Sequence, residues 1–242
     1  DERTMRVYFR LADGIRREDA RLFPFFFLSD RTLLEGFPRK HWVKRLDGSA
    51  FFQYLCVVEE WTHLWDAVRY IVDRHNRSAE PRISSYVDLP QVHLVPDPVA
   101  QYLMLTGRTL FKGMEFGELR RLQLDIETYT ASPHRFSNPE RTSDRVILIA
   151  LAESTGWRHL IDGRKLSEPE MLQELLRVFQ ERDPDTIEGH NIFGFDLPYL
   201  LARFSLHAIP PTFGRDGTLP AAFESRTAFA ERSFDYTVTD VP

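Results

Sequence analysis

The fold of the second half of the chain is decided at residues 122–128, which have the sequence Leu-Gln-Leu-Asp-Ile-Glu-Thr. Polar and apolar residues alternate along this segment, which is typical of a β-strand with one buried face. Leu124 and Ile126 would point into a core, whereas Asp125 and Glu127 would share the opposite face, about 6.6 Å apart along the backbone. Two neighbouring carboxylates repel each other unless water, a proton or a cation lies between them. An edge strand with a solvated face is the simpler alternative, so the pair alone does not establish a site.

The segments that follow predict an α/β domain. Residues 145–152 form a continuous apolar run, as expected for a strand that is covered on both faces, and residues 157–161 predict a third strand. Ser167-Glu168-Pro169-Glu170 is a capping box that begins a helix. Residues 186–191 predict a further strand, and a second helix follows it. Strands first and then helix–strand–helix predict a mixed sheet with helices on both faces.

A third carboxylate, Asp196, follows that last strand within the sequence Glu-Gly-His-Asn-Ile-Phe-Gly-Phe-Asp at residues 188–196. One interpretation is a helix cap, because Leu197-Pro198 would then occupy the first helical positions. The other is an oxygen ligand from a neighbouring strand end, close to Asp125 and Glu127. Carboxylate oxygens are the ligands that Mg²⁺ and Mn²⁺ prefer. Two such ions, about 3.5–4 Å apart, are a common arrangement for cleaving phosphodiesters.

The first half of the chain predicts an α+β domain. Strands are expected at residues 5–11, 22–28, 51–58 and 83–95. Helical spacing predicts a helix over residues 59–75, in which Trp61 and Trp65 pack in the core rather than stack on DNA. Asp97-Pro98 predicts the start of a short helix that ends at Thr106-Gly107.

Composition limits the possible function classes. The chain has 242 residues, 43% of them hydrophobic and 13% aromatic, which excludes a disordered chain. No apolar run approaches the roughly 18 residues that span a bilayer, so a soluble protein is expected. The single cysteine, Cys56, excludes an internal disulfide framework and fits a reducing compartment. The net charge is +1 for residues 1–120 and −6 for residues 121–242. An acidic half repels nucleic acid unless its carboxylates hold divalent cations.

Residues 124–128 and 188–198 resemble the first two exonuclease motifs of family B DNA polymerases, in the order in which that family has them. The bacterial and archaeal members are the most similar. The resemblance extends upstream through Asp97-Pro98 and Tyr102 to Met114, and more loosely to the N-terminal Phe-Pro-Phe segment. It therefore covers most of the chain.

The resemblance implies two domains. Residues 1–117 would form the α+β N-terminal domain of the polymerase. Residues 118–242 would form an α/β ribonuclease H-like (DnaQ-like) 3′–5′ exonuclease domain, incomplete at its C-terminus. The implied location is the prokaryotic cytoplasm, in association with the nucleoid.

The resemblance also implies a proofreading site that uses Mg²⁺ or Mn²⁺. Asp125 would bridge two metals, Glu127 would hold the metal that activates the attacking water, and Asp196 would hold the other. The implied substrate-binding residues are Asn191, Phe195 and Thr128. An aromatic ring such as Phe195 can stack on any base, although a core aromatic is the alternative. The partners implied are the 3′ end of single-stranded DNA, primer–template DNA and the remainder of a polymerase chain, with no membrane.

The family has a fourth carboxylate in a helical Tyr-x-x-x-Asp motif, and residues 236–240 match it literally. Their β-branched, alternating pattern predicts a strand instead, on which Tyr236 and Asp240 would stand about 13 Å apart. The palm, fingers and thumb of a polymerase also have no counterpart, so we expect a fragment that is weakly active or inactive. Two alternatives remain open: a stand-alone 3′–5′ exonuclease that uses Asp240, and a non-catalytic nucleic-acid-binding or scaffold module.

Overall fold

The computed structural model divides the chain into two compact units, Asp1–Lys112 and Gly113–Pro242. The boundary predicted from the sequence, after residue 117, lies a few residues farther along. Among the described residues, no helix is long and apolar enough to cross a membrane. The residues that the structure describes are 3–11, 14–78, 80–132, 134–229 and 232–240, with side chains up to Ala221.

The first unit contains a hairpin, a four-stranded antiparallel sheet and two helices. These elements are β1 (Thr4–Leu11), β2 (Gly14–Arg21), β3 (Phe25–Leu28), β4 (His41–Arg45), β5 (Tyr54–Val58), α1 (Trp61–Ser78), β6 (Val92–His93) and α2 (Pro98–Thr106). Strands β1 and β2 pair with each other, and the sheet has the order β4-β5-β3-β6. The α+β arrangement predicted for this part of the chain is therefore what the structure shows.

The core of the first unit lies between α1 and one face of the sheet. Leu64 and Ile71 on α1 are buried in the same cluster as Phe26 on β3. Trp61 and Trp65 pack against this cluster. The prediction that both tryptophans are core residues is confirmed.

Three predictions for the first unit were incomplete or wrong. Strands β2 and β4 were not predicted, because both are rich in exposed basic residues and lack a clear apolar alternation. The strand predicted over residues 83–95 is reduced to Val92–His93. Upstream of it, Ser85 accepts a hydrogen bond from the Val87 N–H at 3.3 Å and begins a short 3₁₀ turn.

A buried glutamine fixes α2 to the sheet. Asp97 caps α2 by accepting from the Val99 N–H at 2.8 Å, and the helix ends at Gly107 in the left-handed conformation, as predicted. One turn into the helix, the Gln101 carboxamide is fully buried. It donates to the carbonyl oxygens of Phe25 (2.9 Å) and Val95 (2.8 Å). It also accepts from the Phe25 N–H at 2.9 Å.

Replacing Gln101 by leucine is expected to lower the free energy of unfolding by about 2–3 kcal/mol. The substitution keeps the volume but leaves the Phe25 amide and carbonyl buried without this partner, and such groups cost about 1–3 kcal/mol each. Thermal unfolding followed by circular dichroism measures the loss. Met104→Leu, on the exposed side of the same helix, is the control and should leave the midpoint unchanged. Equal stability of Gln101→Leu and the wild type would contradict this role.

The second unit contains a four-stranded mixed sheet, two helices and a hairpin. These elements are β7 (Arg121–Tyr129), β8 (Arg145–Glu153), β9 (Arg158–Asp162), α3 (Glu168–Arg182), β10 (Thr186–Glu188), α4 (Asp196–Leu206), β11 (Ala221–Phe229) and β12 (Arg232–Asp240). The sheet order is β10-β7-β8-β9, with β10 parallel to β7 and the other pairs antiparallel. The mixed sheet and the β7–β8–β9 meander are confirmed, although β10 is shorter than predicted. The capping box at Ser167 is also confirmed, with a 2.7 Å hydrogen bond from the Ser167 N–H to Glu170.

Helices cover one face of this sheet in the part of the unit with described side chains, not both faces as predicted. Buried residues of α3 and α4, such as Leu175 and Leu200, share one cluster with Leu124 and Ile126 of β7. On the opposite face, which we call the open face, Ala150 is exposed, as are its cross-strand partners Asp125 and Leu160. The apolar run of β8 was misinterpreted because alanine is compatible with either a covered or an exposed face.

The Tyr-x-x-x-Asp match lies in a strand, as predicted. Residues 236–240 all belong to β12, which pairs with β11 along its whole length. The helical arrangement that would bring the first and last of these residues together is therefore not formed. The alternative of a stand-alone exonuclease that uses Asp240 depended on that helical arrangement and is therefore not supported.

Candidate active site

Strand β7 presents two carboxylates on the open face. Burial alternates along the strand, so that Leu124 and Ile126 enter the core while Asp125 and Glu127 are exposed. The strand is paired on one side with β8 from Leu122 to Tyr129, but on the other side β10 pairs only with Arg121–Gln123. The other edge of β7 is therefore free of strand pairing at the level of the carboxylates.

Asp196 lies at this free edge. It is the first residue of α4, is 3% exposed, and is preceded by Phe195 as the N-cap residue. Its Oδ1 atom accepts a hydrogen bond from the backbone N–H of Ile126 at 3.1 Å. The helix-cap interpretation is therefore wrong, because the carboxylate bonds to the strand that carries Asp125 and Glu127.

The environment of Asp196 disfavours its ionised form. Burial raises the pKa of this carboxyl above its ordinary value, and the negative charge of Asp125 raises it further. The Ile126 N–H, the backbone N–H of Asp196 and the nearby His190 act in the opposite direction without cancelling the rise. A bound cation relieves both burial cost and repulsion, so the Asp125–Asp196 pair fits a hard divalent metal.

The complete ligand set expected from the sequence is not gathered. Among the residues with described side chains, no group of three or more His, Cys, Asp or Glu residues is close enough to hold a metal ion. Glu127 shares the face of Asp125, but the three carboxylates do not converge. The Asp196 carboxylate is bonded at the edge of β7, to the Ile126 N–H, whereas Asp125 and Glu127 project from the open face.

A tight turn connects β10 to α4 and carries Asn191. The residue has a φ angle of 54°, in the left-handed region that asparagine tolerates. Its carbonyl oxygen accepts hydrogen bonds from the N–H groups of Gly194 and Phe195, both at 2.9 Å. A side chain at Gly194 would collide with the Asn191 carboxamide, so the glycine provides the space that this carboxamide occupies.

Phe195, which immediately precedes Asp196, has a half-exposed ring and is not a core aromatic. It is 38% exposed, and its ring centroid lies 5.5 Å from that of Tyr199 on the next turn of α4. The Tyr199 hydroxyl is hydrogen-bonded to Ser137 Oγ at 2.6 Å. Sequence reasoning missed both supporting residues, although the four-residue spacing of Phe195 and Tyr199 on a helix is a usable signal.

A β-bulge shapes the end of β7 where Thr128 lies. The β7–β8 register shifts between Glu127, which pairs with Leu148, and Thr128, which pairs with Val146, so Ile147 is an extra residue on β8. Alternation along β7 itself is not interrupted, and Thr128 is partly buried on the core side. Bulges of this kind re-aim side chains and recur beside active sites.

A buried ion pair anchors the loop between β7 and β8. Arg203 of α4 is 1% exposed, and its Nε donates to Glu168 at 2.8 Å. Its Nη1 donates to the carbonyl oxygens of Pro139 and Arg141, both at 2.8 Å. Nothing in the sequence marked this arginine, because arginine side chains are mostly exposed.

The open face is concave beside Asp125. A cavity of about 850 Å³ extends from there across the middle of the sheet. It has an apolar floor with Ala150 and Leu160, and polar side chains that include Arg158 and Glu188 at its margin. There is thus space on this face for a ligand that approaches Asp125.

Comparison with known families identifies the chain. A family model described as DNA polymerase family B, exonuclease domain, matches residues 70–239. The chain belongs to that family. The match includes Asp125, Glu127 and Asp196, which the sequence motifs had singled out.

Individual family B relatives are similar over about half of the chain. The DNA polymerase of Pyrococcus glycovorans is 34% identical over 129 residues, which are 50% of this chain and 16% of that polymerase. The DNA polymerase of Archaeoglobus fulgidus is 32% identical over 105 residues, which are 43% of this chain and 12% of that polymerase. The chain thus spans only a small part of the length of the polymerases that it matches.

A solved structure has a similar fold. The family B DNA polymerase from the hyperthermophilic archaeon Pyrobaculum calidifontis superposes with a TM-score of 0.61 at 20% sequence identity. The similarity covers 89% of this chain and 32% of that one. It therefore shows a shared fold over most of this chain.

Proposed function

We propose that the second unit is a ribonuclease H-like 3′–5′ proofreading exonuclease domain, which binds the 3′-terminal nucleotide of DNA and hydrolyses its phosphodiester. Residues 1–117 would be the N-terminal domain of the same polymerase. The observation that carries the proposal is the buried Asp196 carboxylate. It accepts a hydrogen bond from the Ile126 N–H on β7, and the negative charge of Asp125 on the same strand repels it. Carboxylates whose pKa is shifted by burial and by a neighbouring charge are concentrated at functional sites.

The residues of the site would have two roles, holding metal and binding the terminal nucleotide. Asp125 and Asp196 would hold divalent metal, Mg²⁺ or Mn²⁺, with Glu127 as the third ligand. Such ions, when bound, supply an activated water and stabilise the negative charge that develops on the phosphate. Phe195 would stack on the terminal base, while Asn191 and Thr128 would orient the nucleotide. Tyr199 holds the Phe195 ring in place through packing.

The partners would be the 3′ end of single-stranded DNA, primer–template DNA and the remainder of a polymerase chain, in the nucleoid region of a prokaryotic cytoplasm. We expect the 242-residue chain alone to be weakly active or inactive. Its three carboxylates do not converge. The fourth carboxylate of the helical Tyr-x-x-x-Asp motif is also missing from the ligand set, because residues 236–240 form a strand, and an incomplete ligand set binds metal weakly. A non-catalytic nucleic-acid-binding module is the second candidate. The separation of the three carboxylates favours it, because a nuclease needs them to hold the metal together.

The test is binding of a 5′-fluorescein-labelled single-stranded DNA with a free 3′ hydroxyl, in Mn²⁺ and in EDTA. Mn²⁺ should strengthen binding to the wild type, and Asp125→Ala should weaken the Mn²⁺-dependent binding by roughly tenfold or more. The control is Asp73→Ala, an exposed aspartate of α1, which should bind as the wild type does.

Two outcomes separate the candidates. Stepwise shortening from the 3′ end in Mn²⁺, even if slow, establishes the nuclease. Binding without cleavage is also expected of an incomplete nuclease, so it favours the non-catalytic module only if a longer chain that continues past residue 242 fails to cleave as well. Binding that is indifferent both to Mn²⁺ and to Asp125→Ala contradicts the proposed site altogether.

A further inference from the structure

Two residues at the end of the β7–β8 ladder extend the open face beyond the carboxylates. Tyr129 and Arg145 are direct cross-strand partners. Tyr129 follows Asp125 and Glu127 on the exposed side of β7, and 48% of its surface is exposed. The Arg145 guanidinium is exposed and lies 5.6 Å from the centroid of the Tyr129 ring. The bulge at Ile147 places Arg145 opposite Tyr129 on this face.

Arg145 differs from most arginines of the second unit in having no acidic partner. No carboxylate among the described side chains forms an ion pair with it, and its contact is the Tyr129 ring. The ion-paired arginines of this unit are Arg121, Arg141, Arg164, Arg177, Arg182, Arg203 and Arg215. An exposed guanidinium without an ion-pair partner is available to bind an anion.

We propose that Tyr129 and Arg145 form a second nucleotide subsite, which binds a nucleotide on the 5′ side of the 3′-terminal one. The inference rests on the proposed function. The half-exposed ring stacks on the base, and the guanidinium binds the phosphate. Arg145 also offsets the repulsion between the DNA backbone and the two carboxylates, a difficulty for any acidic site that binds a polyanion.

The subsite predicts a dependence on ligand length. The probes are 5′-fluorescein dT8 with a cleavage-resistant phosphorothioate at its 3′ linkage, and the mononucleotide dTMP, both measured in Mn²⁺. Tyr129→Ala and Arg145→Gln should each weaken dT8 binding by about tenfold and leave dTMP binding unchanged. Phe195→Ala should weaken the binding of both probes, because it contacts the terminal nucleotide.

Conservative variants distinguish contact from fold. Tyr129→Phe keeps the ring and Arg145→Lys keeps the charge, so both should retain most of the dT8 affinity. Arg145→Gln should remove one phosphate contact. The slope of log affinity for dT8 against log salt concentration should therefore become shallower by about 0.7, the value for one contact to a single strand. Arg177→Gln, which removes an equal charge from an ion-paired site on α3, is the control and should behave as the wild type.

The outcomes are distinguishable. Unchanged dT8 binding in Tyr129→Ala and Arg145→Gln, with Phe195→Ala impaired, overturns the subsite and leaves the proposed function standing. Equal losses for dT8 and dTMP also overturn the subsite, because they indicate a general distortion. Failure of the wild type to bind either probe contradicts the proposed function and the subsite with it.

Discussion

Replacing Arg203 by methionine is expected to lower the free energy of unfolding by about 3–5 kcal/mol, the usual cost of removing one partner of a buried ion pair. The substitution leaves Glu168 buried and charged. It also removes the donor that the carbonyl oxygens of Pro139 and Arg141 share. Chemical denaturation followed by circular dichroism and by tryptophan fluorescence measures the loss.

Two comparisons test whether the effect arises from the buried Glu168 charge, which keeps only His207 and the Val146 N–H as partners once Arg203 is removed. Burial raises the pKa of Glu168, but hydrogen bonds from Arg203, His207 and the Val146 N–H together hold it below its ordinary value. In the double variant Arg203→Met/Glu168→Gln the charge is gone and an acceptor for Val146 remains, so at least half of the loss should be recovered. Arg177→Met, an exposed ion-paired arginine on α3, should be indistinguishable from the wild type. A double variant no more stable than Arg203→Met would contradict the explanation.

Replacing Asp196 by asparagine is expected to have opposite effects on stability and on metal binding. The amide oxygen can still accept from the Ile126 N–H, while the buried charge and its repulsion with Asp125 disappear. The metal-free variant should therefore be more stable than the wild type at neutral pH. Mn²⁺ raises the unfolding temperature of a protein that binds it only in the folded state. In Asp196→Asn the affinity for Mn²⁺ should fall by about tenfold or more, so this rise should be lost.

The stability difference should depend on pH in a defined direction. Because the pKa of Asp196 is raised in the folded chain, the folded state holds its proton more tightly than the unfolded state does. The stability of the wild type then falls as pH rises from the ordinary carboxyl value of 3.8 through the raised value, and the cost is complete at neutral pH. The advantage of Asp196→Asn should be greatest at neutral pH and vanish below pH 3.8.

A second aspartate provides the matched control. Hydrogen bonds from the Arg164 side chain and backbone lower the pKa of Asp162 to about 2. Its charge therefore stabilises the fold, and Asp162→Asn should reduce stability at neutral pH. If both asparagine substitutions changed stability in the same direction, the account of Asp196 as a disfavoured carboxylate would be wrong.

Local patterns predicted much of this structure. The exposed carboxylates of β7, the capping box of α3 and the Asp97 cap of α2 each depend on residues that are neighbours in sequence. The family B motifs also identified the correct family, because the two motifs occur in order on the expected elements.

Features that depend on distant residues were not predictable in the same way. The Arg203–Glu168 pair joins side chains 35 positions apart, and no local pattern indicates that this arginine is buried. The bond from Ile126 to Asp196 spans 70 positions. It requires β10 to end at Glu188, whereas the sequence predicted a strand that continued to Asn191. The open face was missed because small apolar residues do not reveal whether a helix covers them.

The early end of β10 has a consequence for how the sheet can change during evolution. Pairing with β7 stops at Gln123, and three residues later the Ile126 amide bonds to the Asp196 carboxylate in place of another strand. Lengthening β10 by a few residues would complete the ladder and displace that carboxylate from the edge. The Ile126 N–H can bond either to a longer β10 or to the Asp196 carboxylate, but not to both. A more regular sheet would therefore separate Asp196 from Asp125.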